Sequence, residues 1–249
     1  CMFLCMSVYV MASSKDSTSQ RLIHIIGVDF RPAYTFPTNG FFKGANAAQT
    51  PVRKTFSGHV KYGFKFAPDT YWGRMYPYAI QGLGVGYNTF FNSSEIGNPL
   101  AVYAFQTYRI ASITRRLSFD YEWNFGASFG WKKYDKETNP MNNVVGSKIN
   151  AYINFGLLLN WQIDACTNLR AGVGVTHYSN GNTGYPNSGV NTIGGNIGLI
   201  RYFGGKEKLE LYDRRYATYR NRDAFKPYIS YDLIVYGALK KKGVFPPES

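Results

Sequence analysis

Residues 117–132 alternate strictly between apolar side chains and side chains that are polar or small. The odd positions hold Leu117, Phe119, Tyr121, Trp123, Phe125, Ala127, Phe129 and Trp131, and the even positions hold Ser118, Asp120, Glu122, Asn124, Gly126, Ser128, Gly130 and Lys132. A period of two residues places successive side chains on opposite faces of a β-strand, so the segment predicts a strand with one wholly apolar face. Its length far exceeds the roughly 5–6 residues of a typical soluble strand.

The same alternation returns along the chain, each time followed by a break that is polar or rich in Gly, Pro and Asn. It is strongest in residues 149–163, where the odd positions are all apolar, and noisier in residues 59–66 and 82–87. Candidate strands lie near residues 22–33, 56–67, 79–90, 99–110, 117–131, 149–163, 168–178, 191–203 and 227–238. Segments of this kind predict an all-β fold in which each strand pairs with the next.

Two architectures fit such long alternating strands. One is an antiparallel up-and-down transmembrane β-barrel of eight or more strands, and the other is a soluble sandwich or lipocalin-like barrel. Aromatic residues at both ends of the strands favour the membrane barrel, because they match its interfacial girdles. The mean hydropathy of −0.27 fits strands that alternate, and no run of about 18 apolar residues predicts a membrane-spanning helix.

Both ends of the sequence bear on the organisation of the chain. Residues 1–12, CMFLCMSVYVMA, have the apolar core of a signal peptide with cleavage expected after Ala12, although a buried N-terminal strand is the alternative. Residues 13–249 then form a single barrel domain. Because single-chain bacterial barrels have an even number of strands, nine candidates indicate a missed strand or a sequence clipped at its ends.

The lengths of the breaks predict how the barrel is oriented. Short breaks at residues 111–116 and 164–167 match periplasmic turns, whereas the longer breaks at residues 34–55, 132–148 and 179–190 match the loops on the outer side. With the N-terminus in the periplasm, the last of these loops reaches the outer surface. We therefore expect a protein of the bacterial outer membrane.

The chain is strongly basic, with a formal net charge of +13. Nucleic acid is the usual partner of a basic chain, but export and the barrel pattern argue against it, and we predict no nucleic-acid partner. The basic residues of the predicted outer loops are Lys43, Arg53, Lys54, Lys132, Lys133, Lys136 and Lys148. They are available for charge-assisted hydrogen bonds to phosphates of the outer leaflet. The scattered histidines and the isolated Cys166 predict neither a metal site nor a cofactor.

His177 and Ser179 are the residues that indicate a catalytic site. The apolar parity of residues 169–175 continues into both of them, so their side chains are expected to face lipid. Residues at i and i+2 of a strand lie about 6.5 to 7 Å apart at their Cα atoms, which lets the two side chains meet. A general base beside a serine hydroxyl is what nucleophilic catalysis requires. Alternatively, both residues simply lie in the headgroup zone, where polar groups are tolerated.

The stretch HYSNGNTGYPNSGVN, residues 177–191, resembles the signature of the outer-membrane lipid A 3-O-deacylase family, of the acyloxyacyl hydrolase-like group. In that family a His-x-Ser-Asn stretch at the outer end of a barrel strand is followed by a Pro-Asn-x-Gly loop. An acidic residue then begins the next strand. The resemblance implies a membrane serine esterase that removes an ester-linked acyl chain from lipid A of lipopolysaccharide in the outer leaflet.

The resemblance also implies a role for each matching residue. His177 would be the general base and Ser179 the nucleophile. Asn180 and the amide of Gly181 would stabilise the oxyanion, and Asn187 would help hold the site.

The chain departs from the family pattern at Asn191, which stands where the acid is expected. Its parity matches that of the neighbouring lipid-facing positions, and an Asn carbonyl can fix the tautomer of a histidine as it does in Cys-His-Asn proteases. We therefore predict that Asn191 orients His177. The alternative function is a non-catalytic barrel that serves as a pore, an adhesin or a structural protein, which would have no use for these outward polar residues.

Overall fold

The computed structural model describes residues 22–68 and 70–203, which form one closed antiparallel barrel. Its strands are β1 (Leu22–Thr35), β2 (Lys54–Phe66), β3 (Ile80–Thr89), β4 (Gly97–Ser112), β5 (Leu117–Trp131), β6 (Ile149–Gln162), β7 (Thr167–Ser179) and β8 (Val190–Phe203). Each strand pairs with the next, and β8 pairs with β1 to close the barrel. The predicted up-and-down barrel is therefore confirmed, with eight strands.

The first eight candidate strands coincide with these eight to within a few residues. The expected ninth strand at residues 227–238 and the predicted signal peptide at residues 1–12 lie outside the described residues. The barrel closes between β8 and β1 without a ninth strand, so an odd count is not needed to complete it.

The alternation along each strand separates an apolar outer wall from a polar interior. On β5 and β6, Phe125 faces Ile153 and Trp123 faces Phe155 on the outer wall, where Ile153 and Phe155 are 42% and 46% exposed. The even residues Ser118, Asp120, Glu122, Asn124 and Ser128 of β5 are buried inside. Because exposed apolar side chains dominate the outer wall and the charges of the middle of the barrel are turned inward, the wall matches a lipid-facing surface and not a water-facing one.

A cluster of charged side chains fills the middle of the lumen. The Glu122 carboxylate lies 2.8 Å from Lys61, 2.7 Å from Arg170 and 3.3 Å from Arg31. Asp29 forms ion pairs with Arg31 and Lys61. All five side chains are at least nine-tenths buried, and opposite charges compensate one another where water is excluded. A lumen packed in this way argues against an open pore.

The connections differ in length at the two ends of the barrel. At one end lie residues 113–116 and 163–166, together with a longer connection that contains α2 (Tyr71–Met75). At the other end, called the outer end below, lie residues 36–53 with α1 (Gly40–Lys43), 90–96, 132–148 and 180–189. Neither helix in the described ranges is long and apolar enough to cross a membrane.

The outer connections pack over the barrel mouth and do not extend freely from it. Phe41, Phe42, Phe90, Ile96 and Val144 come from three different connections and are almost completely buried. Burial of these side chains fixes the loops against one another, because each apolar group removed from water stabilises the packed arrangement.

Candidate active site

Three polar side chains meet at the outer end of β7 and β8. Nδ1 of His177 lies 2.7 Å from Oδ1 of Asn191, and Nε2 of the same ring lies 3.0 Å from Oγ of Ser179. The imidazole therefore bridges a hydroxyl and an amide carbonyl. The structure brings together the three residues that the sequence predicted as the catalytic set.

The strand register explains this meeting. His177 of β7 and Asn191 of β8 are direct cross-strand partners, and Ser179 follows on the same face two residues later. The backbone of Asn191 is held in turn by the amide of Phe36, which donates to its carbonyl at 2.9 Å. The site is thus mounted on paired strands, which hold side-chain geometry more rigidly than a loop does.

The site opens onto the apolar outer wall. His177, Ser179 and Asn191 are each partly exposed, and on the same face β7 carries Val175 while β8 carries Ile193, which are 47% and 43% exposed. The lumen lies on the opposite side of the sheet. A molecule that reaches Ser179 therefore approaches from the lipid and not through the barrel.

The two hydrogen bonds favour one tautomer of His177. The amide oxygen of Asn191 can only accept, so Nδ1 carries the proton and donates to it. Nε2 is then unprotonated and accepts the hydrogen of the Ser179 hydroxyl. This is the arrangement in which an imidazole can remove a proton from a serine nucleophile.

A network of asparagines orders residues 180–189, the loop that follows Ser179. The backbone amide of Asn180 donates to Oδ1 of Asn187 at 3.1 Å. The side-chain amide of Asn187 donates to Oδ1 of Asn182 at 3.0 Å. The side chain of Asn180 accepts from the amide of Asn182 and donates to the carbonyl of Gly184. Asn180 directly follows Ser179, and Asn187 holds the backbone of Asn180, so both asparagines determine the path of the loop.

The predicted oxyanion donors differ in their availability. The side-chain amide of Asn180 already donates to Gly184. The amide of Gly181 makes no hydrogen bond within the part of the chain that the structure describes, and this glycine has φ of 63°. A backbone N–H in this position can bind a negatively charged oxygen without breaking an existing contact.

Gly189 is a further component of the site that the sequence pattern did not single out. Its φ is 69°, a conformation that L-amino acids with a side chain rarely adopt. A Cβ atom there would lie 3.3 Å from Cε1 of His177. The glycine therefore allows the loop to pass closely behind the imidazole. The only signal in the sequence was its place at the end of the Pro-Asn-x-Gly stretch.

The other histidines lie away from this site. His59 is buried in the lumen, where its ring nitrogens are 2.9 Å from the hydroxyls of Tyr103 and Ser57. His24 is hydrogen-bonded to Tyr62 near the end of the barrel opposite the outer loops. Within residues 22–68 and 70–203, no group of three or more His, Cys, Asp or Glu side chains could hold a metal ion.

The basic residues predicted for the outer loops all lie at the outer end. Among them, Arg53 donates from its guanidinium to the hydroxyl of Tyr34 at 3.0 Å and packs over the ring of that tyrosine. Tyr34 is the cross-strand partner of Ile193 on β8. A cation is thus anchored one strand away from the site, at the outer end of the barrel.

Comparisons with known proteins add a family match. A family model described as lipid A 3-O-deacylase (PagL) matches residues 31–199. None of the curated protein sequences matches the chain. Among solved structures, the outer membrane enzyme PagL is similar at 14% identity and a TM-score of 0.48, covering 69% of this chain and 97% of its own.

Two further solved structures are similar barrels. Neisserial surface protein A (NspA) has 8% identity and a TM-score of 0.47, and it covers 73% of this chain and 97% of its own. The N-terminal β-barrel domain of Pseudomonas aeruginosa OprF has 11% identity and a TM-score of 0.41, with coverages of 74% and 98%.

Proposed function

Because the chain belongs to the lipid A 3-O-deacylase (PagL) family, we propose that Ser179 is the nucleophile and His177 the general base of its ester hydrolysis. Family membership makes the chain an outer-membrane ester hydrolase that acts on lipid A. These catalytic roles rest on one observation: Ser179 is hydrogen-bonded to His177, and His177 to Asn191, on the lipid-facing wall. It joins a nucleophile, a base and an orienting group in the order that acyl transfer requires.

The reaction then follows from the positions of the atoms. Oγ of Ser179 attacks the carbonyl carbon of an acyl ester of lipid A while Nε2 of His177 takes up the hydroxyl proton. The tetrahedral intermediate collapses when the C–O bond to the sugar breaks and the imidazolium returns the proton to the departing hydroxyl. Water activated by His177 next attacks the acyl-enzyme, which releases the fatty acid and restores Ser179.

The oxyanion of the intermediate requires hydrogen-bond donors close to the nucleophile. We assign this role first to the amide of Gly181, which is unengaged among the described residues, and second to Asn180. The side-chain amide of Asn180 can contribute only by leaving the Gly184 carbonyl. A donor of this kind typically contributes about 10²- to 10³-fold to the rate of acyl transfer.

The substrate reaches the site within the outer leaflet. The ester bonds of lipid A lie close to the headgroup level. β7 ends in Ser179 at the outer end of the barrel, and we expect that end to lie at this level. Acyl chains can lie along the apolar wall, while the basic residues of the outer loops meet the phosphates. Arg53, held by Tyr34, is the cation we expect to bind a phosphate most directly.

Variants of Asn191 test whether its role is to orient His177. Replacement by alanine removes the acceptor for Nδ1–H, and we expect a loss of up to about 10⁴-fold in kcat as the ring loses its tautomer and orientation. Replacement by Asp or Glu keeps an acceptor and adds a charge that stabilises the imidazolium, so these variants should retain or exceed the normal rate. Steady-state kinetics of the three variants provide the measurement. An Asn191→Ala enzyme with normal kcat would mean that the orienting group lies elsewhere.

Mass spectrometry of lipid A tests the proposed function as a whole. Lipid A from cells that produce the protein should lose the mass of one ester-linked acyl chain, and cells that produce Ser179→Ala should keep the full mass. Unchanged lipid A in the presence of folded wild-type protein would contradict the activity. Loss of the chain in both strains would contradict the assignment of Ser179 only.

A further inference from the structure

The loop between β5 and β6 contacts the loop that carries the active-site asparagines. Val145 of residues 132–148 and Asn187 of residues 180–189 form an isolated antiparallel β-bridge. The contact is close, because a Cβ atom at Gly146 would overlap the carbonyl of Pro186. The backbone on which Asn187 is mounted is therefore supported from outside its own hairpin.

Asn142 holds this support in place. Its Oδ1 accepts hydrogen bonds from the amides of Val144 and Val145, each at 3.1 Å. Its side-chain amide donates to the carbonyls of Glu95 and Lys132, each at 2.8 Å. Asn142 is completely buried, and all four bonds are to backbone groups. A single side chain thus ties the Val144–Val145 backbone to the end of β5 and to the β3–β4 connection.

The acceptor of the Asn142 amide is itself firmly held. Glu95 is 5% exposed, and its carboxylate accepts from the amide of Ala47 at 2.9 Å and from the side chain of Asn92 at 2.9 Å. Three outer connections therefore converge on this point. Such a fixed anchor keeps Asn142 from following the movements of the loop that it supports.

We propose that Asn142 is a positioning residue for the nucleophile. It fixes Val145, Val145 fixes the backbone of Asn187, and the side chain of Asn187 fixes the amide of Asn180, the residue that directly follows Ser179. Without Asn142, the contacts through Val145 and Asn187 no longer hold the loop in place. Ser179 and the Gly181 amide then leave their reactive arrangement. This inference rests on the proposed function of Ser179.

Asn139 provides a matched control on the same loop. Its side-chain amide also donates to two carbonyls, those of Glu95 at 2.9 Å and Lys133 at 3.1 Å. It shares the Glu95 acceptor with Asn142, but its side chain makes no hydrogen bond to Val144 or Val145 among the described residues. Replacing it removes a comparable pair of bonds without releasing the Val145–Asn187 bridge.

The test is a comparison of purified variants in detergent micelles with lipid A as substrate. We expect Asn142→Ala to lower kcat by about 10- to 100-fold, because displacements near 1 Å at a reacting group have effects of that size. KM should change much less than kcat, since the lipid-facing wall and the Arg53–Tyr34 pair lie outside the loop that contains Asn142. Asn139→Ala should keep the normal kcat. A folded Asn142→Ala enzyme with normal kcat, or an equal loss in Asn139→Ala, would overturn the proposal.

A second variant keeps the test decisive if Asn142→Ala does not fold. Gly146→Ala leaves the four hydrogen bonds of Asn142 intact, but its Cβ atom displaces the backbone at Pro186. This variant should therefore also lower kcat, and a normal kcat contradicts the proposal.

Ser179→Ala is measured in parallel. If Ser179→Ala is inactive while the Asn142 and Gly146 variants are normal, only the positioning role fails. If Ser179→Ala is active, the proposed function itself fails.

Discussion

Replacement of Ser179 by alanine will lower lipid A deacylation by about 10⁴-fold or more, the size of effect seen when a nucleophile is removed from a catalytic triad. The variant removes the atom that forms the acyl-enzyme and leaves His177 with a vacant acceptor. His177→Ala should have a loss of similar size, because an unassisted serine hydroxyl attacks esters very slowly. The rate of acyl release from lipid A in micelles measures both.

Two further variants test this prediction: the double variant of His177 and Ser179, and a control substitution of a distant serine. Because the two residues act as one unit, the double variant should be no slower than either single variant. Ser93→Ala changes an exposed serine of another outer connection and should keep the normal rate. Losses that multiply in the double variant would indicate that His177 and Ser179 act independently.

Replacement of Glu122 by glutamine will destabilise the barrel by about 3–5 kcal/mol, the usual effect of removing one partner from a buried ion pair. Its carboxylate contacts Arg31, Lys61 and Arg170. In the variant Asp29 still pairs with Arg31 and Lys61, but Arg170 loses its carboxylate contact at 2.7 Å. The midpoint of urea unfolding in lipid vesicles provides the measurement.

A neighbouring carboxylate on the same strand serves as the control. Asp120 also faces the lumen, but the nitrogen of Arg109 lies 3.8 Å away and that arginine side chain is 27% exposed. Asp120→Asn should therefore destabilise the barrel clearly less than Glu122→Gln, because it breaks one long and partly exposed pair where Glu122→Gln breaks three close buried ones. If Glu122→Gln unfolded at the same urea concentration as the wild type, the luminal cluster would not be a major source of stability.

The alternation of side chains was sufficient to predict the barrel. Each strand lies between two different surroundings, lipid outside and a packed polar lumen inside. The polarity of a strand residue therefore indicates which of the two it faces. Glu122 and Trp123 are adjacent in sequence and face opposite sides for this reason. The pattern could not predict which luminal charges pair, because Lys61 and Glu122 come together only when β2 and β5 enclose the same interior.

The meeting of His177, Ser179 and Asn191 could be predicted for similar reasons. His177 and Ser179 share a face through the two-residue period alone, and the resemblance of residues 177–191 to a family signature added Asn191. That Asn191 lies directly opposite His177 depends on the register of β7 and β8. Parity does not determine register, since a shift by two residues keeps the same face outward.

The outer loops were the least predictable part of the molecule. The helix Gly40–Lys43 is only four residues long, too short for a helical period to appear in the sequence. The hydrogen bonds from Asn142 to the Glu95 carbonyl and from the Ala47 amide to the Glu95 carboxylate join residues more than 40 positions apart, and no local pattern marks such bonds. These contacts depend on how the outer connections pack against one another, which the sequence pattern does not determine.

Covalent trapping of the nucleophile tests the central claim most directly. A fluorophosphonate with a long alkyl chain, added to the protein in detergent micelles, should form one adduct, and peptide mass spectrometry should locate it on Ser179. Labelling should be absent in Ser179→Ala and much slower in His177→Ala, because the probe reacts only with an activated serine. An adduct on another residue, or labelling of Ser179→Ala at the normal rate, would contradict the assignment of Ser179 as the nucleophile.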